Sequence, residues 1–411
     1  MNVDRLRQLI LERAIQGKLV PQLDDEPASK QIGPVPEGVP FEIPEKWKWC
    51  CLSSVFELKA GKFISASEIS DKGPYLCYGG NGVRGRVQRF NREGRYPLIG
   101  RQGALCGNIN IAEGSFYATE HAVVADSQGK MDVDCAAWFL SFLNLNQYAT
   151  KTAQPGLSVK RISKIAFPLP PILEQRRIVA RVKELLVLVD TYEKNQSELE
   201  RLGELLKASI LQQAIQGKLV PQLDGEPAVE QIGKAPEEVP FEIPEKWKWV
   251  RLKELVSPAK QKVPDKIFTY IDVSSISRQK INAPKILEAS GAPSRARKVV
   301  QEGMVLYATV RPYLLNTCIV PHLSGEVIAS TAFAAVECKN QIYNEYLLGV
   351  LLSGYFVSYV KSVQKGISYP AITDKDFYKA LIPLPPVSEQ RRIVARVKEL
   401  LALVDGSMKS S

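Results

Sequence analysis

A stretch of about forty residues without proline, Glu174–Ala214, constrains this chain more than any other part. Gly203 is its lone glycine, and strong helix formers fill most of the rest. As one helix it would run roughly 60 Å at 1.5 Å per residue. Apolar residues recur at Ile178, Val182, Leu185, Val189 and Tyr192, in alternating steps of four and three. After Gln196 the seam resumes in a shifted register at Leu199, Leu202, Leu206 and Ile210. Such a stripe is a coiled-coil seam with a stutter, and it needs a partner helix to cover it.

The chain carries that partner at its two ends. PLPPILEQRRIVARVKELLVLVD (Pro168–Asp190) returns as Pro383–Asp405 with three changes. AIQGKLVPQLDDEPA (Ala14–Ala28) returns as Ala214–Ala228 with Asp25 replaced by Gly225. PFEIPEKWKW (Pro40–Trp49) returns unchanged as Pro240–Trp249. The termini therefore add up to the middle: one helix is continuous and its partner is split, a duplication with a pseudo-two-fold axis. Gly17 and Gly217 read as helix stops, and each PLPP as a helix entrance. The segments Gln22–Glu45 and Gln222–Glu245 read as extended connectors, and Trp47, Trp49, Trp247 and Trp249 as packing anchors.

Between the repeats lie two blocks that do not resemble each other. Both have mixed α/β character. Short β-branched runs fall at Val123–Ala125, Val305–Thr309, Thr317–Pro321 and Thr331–Val336, and helical spacing at Trp138–Gln147 and Tyr343–Val360. Charge singles out the same blocks. Residues 51–167 hold 14 Lys/Arg against 9 Asp/Glu, and residues 251–382 hold 17 against 10, within a net charge of +10. The rest of the chain is slightly acidic, so the basic excess points to polyanion binding by two separate modules.

Catalytic patterns are missing from the sequence. No G-x-x-x-x-G-K-[ST] loop occurs, Gly80-Asn81-Gly82 is no dinucleotide fingerprint, and no N/D-P-P-Y/F tetrapeptide is present. His121 and His322 stand without a triad or metal-ligand pattern and read as structural or solvent-facing. The 7 cysteines show no C-x-x-C pair, which favours reduced thiols in a cytoplasm over a zinc site or a disulfide framework. No run of eighteen apolar residues and no signal-peptide pattern appear, so neither a membrane span nor secretion is expected.

Nucleic-acid features are more plentiful. YGGNGVRGRVQRFNREGR (Tyr78–Arg95) sets arginines among glycines and nominates Tyr78, Asn81, Arg84, Arg86 and Arg89. LIGRQGALCGNIN adds Arg101, Gln102 and Asn108, and QPGLSV (Gln154–Val159) adds Ser158. The second block offers Arg295, Arg297 and Lys298 in SRARK, and Arg311 and Tyr313 in TVRPYLLN. QKGISYPAI (Gln364–Ile372) adds Lys365, Ser368 and Tyr369. Arginine can pair with guanine, and Asn or Gln with adenine, while Lys and Ser would hold phosphates. The repeated Glu-Gln-Arg-Arg is either a charge-paired first helical turn or a docking face.

This layout resembles the specificity (S) subunit of type I restriction–modification systems over the whole chain. EQRRIVARV after PLPP, AIQGKLVPQ, IPEKWKW, GRQGALCGN and TVRPYLLN carry the resemblance. It implies two globular α/β target recognition domains held apart by two long antiparallel helices, in a circular, pseudo-two-fold arrangement. The expected boundaries are residues 1–16 for an N-terminal helix, 17–167 for the first recognition domain and 168–216 for the central repeat. The second recognition domain then spans 217–382, and the C-terminal repeat helix 383–411. Each domain would read one half of a split double-stranded DNA target, and the chain itself would be non-catalytic. Two methyltransferase (M) subunits would dock on the helices, through the candidate residues Gln175, Arg176, Arg177, Gln390, Arg391 and Arg392. The resemblance places S-adenosylmethionine on the M subunits, ATP and magnesium on partner subunits that include restriction (R) subunits, and no cofactor or metal in this chain. Three alternatives stay open: the recognition subunit of a fused restriction–methylation enzyme, a coiled-coil scaffold that binds protein rather than DNA, and an enzyme with an unfamiliar site, which would need activity from the purified chain alone.

Overall fold

In the computed structural model, which describes residues 2–103, 105–150, 155–366 and 368–410, the chain forms two units, Met1–Asn195 and Gln196–Ser411. The boundary falls inside the central helix Ile172–Ile215, a single helix of 44 residues. Each unit is mixed helix and strand. In the first, the N-terminal helix Val3–Ile15 precedes strands β1 (Lys48–Cys51), β2 (Glu57–Ala60), β3 (Tyr75–Gly79), β4 (Gly82–Val87), β5 (Arg92–Gly100), β6 (Ile109–Ala118) and β7 (Ala122–Asp126). A block helix Val133–Phe142 and strand β8 (Ala166–Leu169) then lead into the central helix.

The repeats meet each other. IPEKWKW supplies β1 and PLPP supplies β8, and they pair antiparallel from Lys48↔Leu169 to Cys51↔Ala166, closing the block at its neck. Trp47 lies buried beside them and stacks on Phe139 at 6.1 Å. The N-terminal helix starts at Asn2, whose side chain accepts from the Arg5 amide. It ends in a Schellman turn, Lys18 N bonding Arg13 O and Gly17 N bonding Ala14 O. Gly17 has φ +67°, and a Cβ there would also run into Pro44, so glycine is required twice over. Arg7 bonds Asp190 and Glu193 at 2.7 Å each, while Ala14 and Ile15 share a core with Ile178 and Val182. The two helices of this unit are therefore antiparallel.

Polar residues lock helix to block. The Gln175 side chain is fully buried; its Oε1 accepts from the Asp132 amide at 2.7 Å, and its Nε2 donates to the carbonyls of Lys130 (3.2 Å) and Pro170 (2.9 Å). Arg177 forks onto Glu26 (3.0 and 2.6 Å) and reaches the Pro21 carbonyl, fastening the connector. Burial would push the Asp134 carboxyl up, but hydrogen bonds from Arg95 and Lys183 outweigh it and hold the group below its ordinary range.

The second unit repeats these devices around a different block. Its strands are β9 (Lys248–Arg251), β10 (Val256–Pro258), β11 (Phe268–Ile271), β12 (Ile276–Ser277), β13 (Lys280–Ile281), β14 (Lys285–Leu287), β15 (Ala296–Val300) and β16 (Val305–Ala308). β17 (Thr317–Ile319), β18 (Val327–Ser330), β19 (Phe333–Cys338) and β20 (Leu381–Leu384) follow. β9 pairs with β20 as β1 does with β8. Gln390 accepts from the Tyr343 amide and donates to Gln341 and Pro385; Arg392 forks onto Glu226; Lys398 meets Glu345. Lys207–Asp405 stands where Arg7–Asp190 stands in the first unit.

The sheets differ more. The first unit has one six-stranded sheet, β2-β7-β5-β6-β3-β4. In the second, β10-β19-β16-β17 copies the first four positions, while β14-β11-β18-β15 is a separate sheet. The ten-residue β6 has two shorter counterparts. β17 pairs with β16 as β6 does with β5, and β18 runs parallel to β11 as β6 does to β3.

Several expectations change. Gln175 and Gln390 are interior joints and present no surface for docking, while Arg177 and Arg392 are half-buried and paired with Glu26 and Glu226. Only Arg176 and Arg391 of that set are exposed, and Arg391 lies over the Tyr343 ring at 5.8 Å. Leu202 and Leu206 are about half exposed, because Gly203 takes the seam position and lets Met408 of the C-terminal helix Val387–Ser410 pack against it. The helix expected over Tyr343–Val360 breaks at Ser353, whose hydroxyl caps the second segment. The helix expected over Trp138–Gln147 instead starts at Val133 under an Asp132 cap and ends at Phe142.

Replacing Gln175 with Ala strands one amide and two carbonyls in the interior, an expected loss of about 2–4 kcal/mol in urea unfolding. Arg176→Ala, at the exposed neighbour, is expected to stay within about 0.5 kcal/mol of the parent. Equal stability of the two variants would refute the joint.

Candidate nucleic-acid interface

Just beyond β5 and β16, each unit clamps a short loop with the same three backbone hydrogen bonds. In the first unit Arg101 N donates to His121 O (2.8 Å), Leu157 N to Arg101 O (2.8 Å), and Gly103 N to Pro155 O (3.0 Å). In the second, Thr309 N donates to Ala332 O (2.8 Å), Ile372 N to Thr309 O (2.9 Å), and Arg311 N to Pro370 O (2.8 Å). Gln102 bridges Gly156 as Val310 bridges Ala371. The two blocks share little sequence here, yet Arg101-Gln102-Gly103 and Thr309-Val310-Arg311 occupy one frame.

In the first unit this frame walls a cleft of about 410 Å³ lined by Arg101, Gln102, Glu120, His121, Thr150, Gly156, Leu157 and Ser158. Gln102 and Ser158 are exposed. The Arg101 guanidinium is half-buried and reaches the carbonyls of Leu157 and Glu120, both at 3.4 Å, so it also braces the loop. The β3–β4 turn presses close, since a Cβ on Gly100 would strike the Gly80 carbonyl. On that rim Asn108 donates to Asn81 at 3.1 Å. Gln154, from the QPGLSV motif, lies outside the described residues.

The remaining candidates of this block have other settings. Arg84 is exposed on the edge strand β4 and folds across Gly79. Arg86 donates to the Gly73 carbonyl (3.1 Å), and Arg89 pairs with Glu68 (2.8 Å) above the Tyr117 ring. Tyr78 is a correction. It is buried, packs edge-on to Phe116 at 5.6 Å, and its phenol pKa is raised by burial, so it is core and not a stacking platform.

In the second unit the frame gathers Arg311, Tyr313, Lys365, Ser368 and Tyr369. Lys365 exchanges backbone hydrogen bonds with Ala371, which folds the segment back onto the frame. The Arg311 guanidinium stacks on Tyr369 at 4.5 Å, a cation–π contact on a ring that is 68% exposed. Arg311 itself holds a left-handed backbone, φ +50°. Tyr313 is exposed beside it. Just before β15, Arg295 is exposed and its carbonyl accepts from the Thr331 amide, while on the strand Arg297 turns back to the Ala296 carbonyl. Lys298 is the second correction. Its ammonium is buried and bonds the Phe333 carbonyl and Asp374, propping the frame from within.

Glu120, His121 and Thr150 were not among the sequence candidates. They reach the cleft only because the fold brings Thr119–His121, Thr150 and residues 155–158 against the end of β5, across separations that no local pattern reports. Among the described residues no group of three His, Cys, Asp or Glu could hold a metal ion, and no single helix is long and apolar enough to cross a membrane.

A family model described as Type I restriction modification DNA specificity domain matches residues 44–201 and 244–407. The type I restriction enzyme EcoprrI specificity subunit of Escherichia coli is 41% identical over 155 residues, covering 37% of this chain and 38% of that protein. The EcoAI specificity subunit, from the same organism, is 25% identical over an alignment of 531 residues, covering 97% of this chain and 89% of that protein. Among solved structures, the HsdS subunit from Thermoanaerobacter tengcongensis shares the fold at TM-score 0.56 and 20% identity, over 90% of this chain and 93% of that one. A chain from a study of complex assembly and conformational transition of the type I R-M system matches at TM-score 0.65 and 20% identity, over 90% of this chain and 94% of that one.

Two tyrosines separate core from interface. Tyr78→Ala is expected to cost about 3 kcal/mol of stability, as for other buried aromatics. Tyr369→Ala should leave unfolding unchanged and weaken binding to duplex DNA several-fold in a titration at fixed salt. The reverse pattern would overturn both placements.

Proposed function

The chain belongs to the type I restriction–modification DNA specificity family, and we propose that each of its units reads one half of a bipartite duplex target. The observation that carries this reading is the shared frame. One backbone arrangement appears twice and presents Arg101-Gln102 with Ser158 in one unit, and Arg311 with Lys365, Ser368 and Tyr369 in the other. A constant frame with different side chains suits two readers of one polymer with different sequences. Gln102, Asn81 and Asn108 have the donor–acceptor pairs that adenine edges match, and Arg311 has the fork that guanine matches. Lys365, Ser368 and Ser158 are suited to phosphates, which position the protein without reading sequence.

The proposed docking sites for two methyltransferase subunits move from the Glu-Gln-Arg-Arg turns to exposed apolar residues on the helices. Val187 and Leu188 are exposed in the first unit, and Leu202, Leu205, Leu206 and Leu403 in the second. Leu188 and Leu403 hold the same repeat position, which fits two copies of one partner. Restriction subunits join as further partners, with S-adenosylmethionine, ATP and magnesium on the partner subunits. The chain itself specifies the target in the cytoplasm and does no chemistry.

In this proposal the central helix and its split partner set the gap between half-sites. Inserting one heptad into both helices should lengthen the unspecified spacer in the mapped methylation motif and leave both half-sites unchanged. A spacer of the original length in the folded variant would exclude this role.

A further inference from the structure

We infer that Glu120 reads an exocyclic amino group of a base in the first unit's half-site, an inference that rests on the DNA-reading function proposed above. Glu120 sits in the β6–β7 turn, one residue before the carbonyl that accepts from Arg101. Its Oε1 lies 3.2 Å from Nε2 of His121. Its Oε2 is shut off from solvent and has no hydrogen-bond partner among the described residues; the side chain is 31% exposed and lines the cleft, so a turn about its terminal bonds brings that oxygen to an arriving donor. The neighbouring Arg101 guanidinium points Nε and Nη1 at the backbone carbonyls of Leu157 and Glu120, and none of its donors reaches Oε2. An acceptor left unmatched in a cleft is costly until a donor arrives.

The chemistry of that donor is narrow. A carboxylate repels phosphate and only accepts hydrogen bonds. In the major groove the available donors are N4 of cytosine and N6 of adenine; guanine and thymine present acceptors at the corresponding places. Glu120 therefore favours an amino-bearing base and opposes a carbonyl-bearing one at the place it contacts. The second unit has no such filter. There the frame carbonyl comes from Ala332, so the position of Glu120 falls to Thr331, an exposed hydroxyl that can donate or accept.

The test is selection of duplexes from a randomised library by the full chain, its Glu120→Ala variant and the isosteric Glu120→Gln variant, each checked by thermal unfolding. The parent should select a bipartite motif in which one position of one half-site is confined to adenine or cytosine. In Glu120→Ala the preference at that position should fall about ten-fold or more, with the other half-site unchanged and affinity for random duplex unchanged or slightly higher. Glu120→Gln should admit a carbonyl-bearing base at the same position, because its amide can donate; it decides the matter if the alanine variant is unstable. Motifs identical in parent and variants, or an even loss across all positions, would overturn the role of Glu120. A parent that selects no bipartite motif would instead overturn the DNA-reading function itself.

Discussion

A buried amide in the first turn of each repeat helix underlies the rest of this structure. Gln175 and Gln390 each tie three backbone groups together: the entry of a block helix, the loop before it, and the PLPP segment that starts the long helix. Such a residue is worth little on the surface, but in the interior each of its partners would otherwise be left without a bond. The joint is directional as well as stable. It fixes the angle at which a block leaves its helix, and Arg177–Glu26 and Arg392–Glu226 pin the connector on the other side. Because helix, connector and joint are repeated almost residue for residue, each block is mounted in the same way however it differs inside.

That division explains how the two blocks can diverge. The neck strands and the four-stranded part of the sheet are shared, whereas the outer strands form one continuous sheet in the first unit and a separate one in the second. The loop frame lies at the end of the shared strands, β5 and β16, so its backbone survives the changes around it. Side chains on the frame are free to vary because its hydrogen bonds are made by the main chain. Under the proposed function, variation in what is read needs no change in what holds the reader.

The sequence disclosed what was repeated. The extent of the central helix, the split partner, the glycine stops and the tryptophan anchors follow from identical copies, whereas spacing alone misplaced the helices at Val133–Phe142 and at residues 344–363. Side-chain fate did not. Nothing in Glu-Gln-Arg-Arg distinguishes Gln175, which is buried against Asp132, from Arg176, which is exposed; the partner that decides it lies in the preceding block. Leu202 looks like a seam residue until Gly203 is found against Met408 on a helix two hundred residues away. Lys298 reads as one of three surface cations, but alternation along β15 turns it inward to the Phe333 carbonyl. The candidates Arg101, Gln102 and Ser158, and Arg311, Lys365, Ser368 and Tyr369, came from motifs far apart in the chain. The fold gathers them into two groups, and it adds Glu120 and His121, which no motif marked.

The central claim is that target choice resides in the blocks while the repeats only mount them. Replacing residues 51–167 with a second copy of 251–382, and mapping the methylated target of the assembled enzyme, tests it most directly. The account predicts an inverted repeat built from the second half-site alone. Retention of the parent's target by the folded chimera would contradict it.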